Sequence, residues 1–166
     1  MSPCRQPDYD GTGMREYRYT VDLDGRIFHD GSEITDPAVL RFFLRVMERT
    51  PEGRFLVLCQ GERNWFAAPD TPFVVQRARC TCEGGDLRAV ELLFAGDYRE
   101  PLDPGTLAAD ASHLYCRVRR GAFLARFGRV AVSQLGAHLE ETEGGVALRL
   151  SGRAHPIREL KTLPDG

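Results

Sequence analysis

Residues 52–65 read "EGRFLVLCQGERNW". Phe55 to Cys59 is a nearly continuous apolar run, which predicts a buried strand. Polar residues crowd in behind it: Gln60, Glu62, Arg63 and Asn64 follow Cys59, and then Trp65 and Phe66 resume the apolar pattern. The polar stretch reads as a turn or recognition loop between two strands. The same punctuation returns near the other end of the chain as "EGGVALRLSG", residues 143–152.

The pattern before each stretch also matches. Tyr17, Tyr19, Val21 and Leu23 alternate with polar residues, the period of a half-buried strand, and Asp24-Gly25 is a hairpin signal because glycine tolerates positive φ. Arg26 to His29 is the return strand. Asp36-Pro37 opens a helix, with the aspartate as cap and proline at the first position. Leu40, Phe43, Leu44 and Met47 recur at three- and four-residue spacing and bury one face. Thr50-Pro51 and Gly53 stop that helix. In the second half Leu114 to Val118 and Ala122 to Phe127 pair around Arg120-Gly121, Val130 to Glu140 is helical, and Val146 to Leu150 is a strand.

The two halves therefore share one order, and "VDLDGRIF" (21–28) answers "CRVRRGAF" (116–123). Fixed-order self-similarity is the signature of repeated units. Between them, Trp65 to Ala67, Phe73 to Cys82 and Leu87 to Phe94 read as strands, with Glu83-Gly84-Gly85-Asp86 a hairpin loop. Residues 96–111 are a Gly-, Pro- and Asp-rich connection.

The expected fold is α+β: two similar β-hairpin–helix–strand units joined by central antiparallel strands, with the sheets curving into barrel-like halves. The expected divisions are a flexible tail at 1–14, a first unit at 15–61, central strands and connection at 62–111, and a second unit at 112–160. Two helices among segregated strands exclude a doubly wound parallel sheet.

Composition narrows the function. Hydrophobic residues make up 42% of the 166 and charged residues 28%, as in globular domains. The net charge of -2 argues against nucleic-acid binding, which needs a basic field. No apolar run approaches the ~18 residues of a membrane span. The opening "MSPCRQPDYDGTG" reads as neither signal peptide nor mitochondrial leader. Five cysteines, an odd number irregularly spaced, fit a reducing compartment. A cytoplasmic bacterial protein is expected.

Several residues could carry chemistry. In "GERN" Arg63 can hold an anionic group through its planar fork, with Glu62 and Asn64 orienting it. "SGRAH" (151–155) occupies the equivalent place in the second unit and supplies Arg153 and His155. Loops paired about a pseudo-twofold axis can line one cleft. The expected site is Gln60, Glu62, Arg63, Asn64, Arg153 and His155, taking a small anionic ligand or peptide, with no catalytic residue and no cofactor.

Cys80-x-Cys82 puts two thiols on one strand face, and His113-x-x-Cys116 and Cys59 lie elsewhere, but the paired knuckles of a zinc site are missing. Cys59 with His155 and Asn64 has the residue types of a hydrolase and no fixed geometry. Arg117, Arg119, Arg120, Arg126 and Arg129, interleaved with Tyr115, Phe123 and Phe127, read as an amphipathic hairpin with its charges outside. The leading reading is a binding or adaptor protein. The alternatives are a small hydrolase-like enzyme using Cys59 or a metal, and a subunit of a complex with no small-molecule site.

Particular strings also resemble a known family of small proteins. They are "YRYTVDLDGRIFHDG" (17–31), Phe42-Phe43, Cys59-x-x-Glu62-Arg63-Asn64, Asp70-x-Pro72, Leu114-Tyr115 and Gly152-Arg153. The likeness covers Tyr17 to Val75 well and the remainder in patches. The family has a mitochondrial animal member of unknown function and bacterial relatives. The layout also resembles a bacterial family of unknown function built from two β-rich repeats, each with a helix. Both resemblances imply a fold and no activity.

Overall fold

The computed structural model describes residues 8–9, 11 and 13–162. The first sheet contains β1 (Asp8–Tyr9), β2 (Arg15–Val21), β3 (Ile27–His29), β4 (Ser32–Glu33), β5 (Glu48–Arg49), β6 (Phe55–Cys59) and β7 (Glu62–Ala67), with helix α1 (Pro37–Val46) between β4 and β5. Its order is β4-β3-β2-β7-β6-β5, with β1 on β2. Only β2 and β7 run parallel. The polar "ERN" is thus a strand in the middle of a sheet. The sheet runs on to Ala67, past the expected boundary at residue 61. Most of the expected tail, residues 1–7, 10 and 12, lies outside the described residues, while Asp8 and Tyr9 pair with Glu16 and Arg15.

Local chemistry explains these elements. The Asp22 carboxylate accepts from the Asp24 and Arg26 backbone N–H groups, both at 2.9 Å, and closes the β2–β3 turn. Burial pushes this carboxyl up, but those bonds and the Arg26 guanidinium outweigh it and hold the group below its usual range. Asp36 caps α1 by accepting from Ala38 N at 2.9 Å. Leu40, Phe43 and Leu44 are buried, and Phe43 meets the stacked rings of Tyr19 and Phe66 edge-on at 5.1 and 5.0 Å. The far end of α1 is closed from the second half of the chain: Arg119 Nη1 donates to Leu44 O at 2.8 Å and Met47 O at 3.1 Å. A cation there also complements the helix dipole.

The centre comprises β8 (Phe73–Val75), β9 (Arg77–Glu83), β10 (Asp86–Leu93) and β11 (Arg99–Pro101). The last three form an antiparallel sheet. The expected strand from Phe73 to Cys82 is split at Gln76, because β8 leaves to join another sheet. The second half holds β12 (Ala108–Ala109), β13 (Leu114–Val118), β14 (Phe123–Phe127), α2 (Arg129–Gly136), β15 (Leu139–Thr142), β16 (Gly145–Leu150), β17 (Arg153–Pro156) and β18 (Arg158–Glu159). One sheet has the order β18-β12-β13-β14-β8 and another β15-β16-β17. Helix α2 stops at Gly136 rather than Glu140, because residues 139–142 pair with β16.

The fold is α+β, dominated by strands with two α-helices among the described residues. None of the four sheets closes, so there are no barrel-like halves. Along the chain β2-β3, α1 and β6-β7 follow in order in one half, and β13-β14, α2 and β16-β17 in the other. Both strand pairs turn through two residues at positive φ: Gln60-Gly61 (49° and 76°) and Ser151-Gly152 (51° and 77°), the twist that matches flanking strands. Sheet pairing differs between the halves. β2 pairs with β7 of its own half, whereas β14 pairs in parallel with β8.

Candidate ligand-binding cleft

The six residues expected from sequence lie on two hairpins in different sheets. Gln60 is in the turn between Cys59 and Glu62, which face each other across the strands. Alternation along β7 sends Arg63 to the face opposite Glu62 and Asn64. Arg63 Nη1 lies 3.8 Å from Glu16 Oε1. Asn64 is buried and its Nδ2 donates to Val57 O at 3.0 Å, which ties β7 to β6. Glu62 contributes, after burial and Tyr17, to raising the Tyr19 hydroxyl pKa, so Glu62, Tyr17 and Tyr19 share one neighbourhood. Arg153 is exposed and His155 half-buried on β17, opposite Leu150 and Leu148. Among the described residues, none of the six lines the four cavities around Phe123, Leu160, Tyr98 and Arg126.

The cysteines are scattered. Cys116 is fully buried, and burial pushes its thiol pKa far up. Cys82 Sγ lies 3.9 Å from His138 Nε2, and Cys80 points at Gln134 O at 3.7 Å. Among the described residues no three His, Cys, Asp or Glu side chains are placed to hold a metal ion.

The most built polar site is elsewhere, in a cleft of ≈ 850 Å³ at the start of α2. Three distant segments meet there. The first is the β2–β3 turn, carrying Leu23 and Asp24. It docks on β8 because Gly25, at φ +82°, has no side chain: a Cβ there would sit 2.9 Å from Val74 Cβ. Gln76 Nε2 fixes the same turn by donating to Asp24 O at 3.1 Å. The second segment is the turn before β13, where the Asp110 carboxylate accepts from Ser112 N at 2.8 Å and His113 N at 2.7 Å. Those backbone donors hold the Asp110 carboxyl below its usual range.

The third segment runs from Arg126 through Gly128 into α2. Gly128 N donates to Val75 O at 2.9 Å, and a Cβ on Gly128 would lie only 3.1 Å from that oxygen. Glycine is therefore favoured at the helix N-cap, and no side chain caps α2. Helix N-termini bear unpaired N–H groups and partial positive charge. Arg129, Val132 and Ser133 of α2 line the cleft beside them.

Arg126 decides the character of the site. It is 3% exposed, the one buried charged side chain among the described residues. Its Nε donates to Asp70 Oδ2 at 2.9 Å. The Tyr115 hydroxyl donates to the same oxygen at 2.9 Å, and burial, then Asp70, raises the pKa of that hydroxyl. Arg126 Nη2 is buried with no hydrogen-bond partner. Such a donor keeps its full desolvation cost until an acceptor reaches it. The sequence reading put this arginine outside with its basic neighbours. Its burial follows from pairing with an aspartate 56 residues away. The local signal is that it stands alone between apolar Ala125 and Phe127.

No family model matches this sequence, and no curated relative does. Two solved structures are similar in fold. A DUF1285 family protein from Silicibacter pomeroyi is 22% identical, with 89% of this chain and 85% of that one covered, at a TM-score of 0.65. A DUF1285 family protein from Shewanella baltica is 11% identical, with 67% and 84% covered, at a TM-score of 0.53. Both come from bacteria, in keeping with the expected bacterial relatives. Neither is the animal protein, so that resemblance has no counterpart here. Among the described residues no helix is long and apolar enough to cross a membrane. At these identities the likeness is one of fold, and the cleft has to be read from its own residues.

Proposed function

We propose that this chain is a non-catalytic binding protein that holds a small anionic ligand in the cleft at the start of α2. The observation that carries this is Arg126, buried in the cleft wall with Nη2 unpartnered. A carboxylate oxygen supplies the missing acceptor, and a guanidinium fork suits it. Arg129 and the uncapped turn of α2 add a second cation and free N–H groups. An anion-recognising site of this kind needs no overall basic charge. The role proposed from sequence for Gln60, Glu62, Arg63, Asn64, Arg153 and His155 rests on their polarity and matched turns. The α2 cleft adds a buried cation.

The test is thermal unfolding in acetate against chloride at equal ionic strength. A ligand at ten times its Kd adds about 1.4 kcal/mol, or about 3–6 °C for a chain of this size. A rise in acetate is expected, and its loss in Arg129→Ala, an exposed position. Equal melting temperatures in the two salts at saturating concentration would overturn the proposal.

A further inference from the structure

We infer that the ligand is an apolar monocarboxylate, a small acid whose head group meets Arg126 and the first turn of α2 and whose aliphatic or aromatic body lies along the cleft. This rests on the reading of the cleft as an anion site and adds a second observation, the placement of exposed apolar side chains. Among the described residues five large ones are exposed: Leu23 (57%), Leu58 (50%), Val130 (56%), Val132 (37%) and Val146 (44%). Two of these, Leu23 and Val132, line this cleft. Leu114 and Phe127 carry the apolar surface into its wall. Single exposed apolar residues are ordinary, but two that face one concave site, continuous with Leu114 and Phe127 in its wall, favour a binding surface.

Charge selects the head group. Arg126 and Arg129 in the wall are opposed by Asp24 at the cleft, by Asp70 on Arg126 and by Asp110 beside His113. The named side chains leave no excess of cations, so an anion is held by the unpartnered Nη2 and roughly half a positive charge from the helix terminus. That field suits one negative charge. A phosphate dianion would bring more than the site offsets. Ser112 and Ser133 give further polar contacts without formal charge. The volume of ≈ 850 Å³ is that of a site for one small molecule.

The experiment is isothermal titration of the full chain with octanoate, with acetate, 1-octanol, inorganic phosphate and a peptide ending in a free leucine carboxylate as comparators. Octanoate should bind at least about tenfold more tightly than acetate or 1-octanol. V132S, a neutral change at an exposed helix position, should weaken octanoate about tenfold with the melting temperature and acetate binding retained. If acetate and octanoate bind equally, the anion site stands and the apolar inference falls. If neither binds, both fall. Phosphate binding more tightly than octanoate overturns the monoanion. A peptide that binds where octanoate does not overturns the small acid.

Discussion

Gly96→Ala should destabilise the protein by about 2–4 kcal/mol, from roughly 1 kcal/mol for the backbone conformation and 1–3 kcal/mol for overpacking. Gly96 has φ +67°, in the left-handed region. A Cβ there would lie 2.7 Å from Leu40 Cβ, 2.7 Å from Pro37 O and 3.2 Å from Arg41 N. These atoms belong to the start of α1, which the Asp36 cap and the bond from Arg41 Nη1 to Gly96 O at 2.9 Å hold in place. Relief requires α1 to retreat and to draw Leu40 out of the core. Gly31→Ala is the control: φ is +79° there, but nothing lies within 4 Å of an added Cβ, so only about 1 kcal/mol is expected. Urea unfolding of both variants gives the comparison. Equal losses would mean that α1 is not pressed against this turn.

Asp70→Ala should cost about 3–5 kcal/mol, because it leaves a buried guanidinium uncompensated. The Arg126 side chain is 4% exposed and that of Asp70 28%, so the two members of the pair are not equivalent. Arg126→Met leaves a carboxylate that water and the Tyr115 hydroxyl still reach, and about 1–2 kcal/mol is expected. The double variant should lose less than the sum of the two single losses, with a coupling energy of about 2 kcal/mol in a double-mutant cycle. Additive losses would show that Arg126 does not depend on Asp70.

Much of the local structure was legible in the sequence. Asp36-Pro37 and the apolar spacing mark α1 because capping and amphipathicity are short-range. Gly25, Gly61, Gly84-Gly85 and Gly152 mark turns for the same reason. The strand Glu62–Ala67 was not legible at its polar start. Its place between β2 and β6 comes from the parallel pairing Glu16↔Arg63, which couples residues far apart, and Asn64 is buried there by bonding to a neighbouring strand. The split at Gln76 has a similar origin, since β8 leaves to pair with β14.

The cleft was the least legible part. Leu23, His113 and Arg126 come from separate turns and strands and are gathered by Gly25 against Val74 and by Gly128 against Val75. A charged residue at the end of a strand reads as solvent-facing until its partner, Asp70, is known. The polar hairpin at Cys59–Asn64 drew attention because its polarity is contiguous. Contiguity does not give a shared face in a strand.

The most direct measurement is an acetate titration followed in ¹H–¹⁵N spectra that resolve arginine side chains, at constant ionic strength. The Arg126 Nε–Hε signal, held on Asp70, and the backbone amides of Val130 and Ala131 should move together along one saturating curve. Movement confined to Gln60, Arg63 and Arg153, or shifts that never saturate, would contradict an anion site at the start of α2.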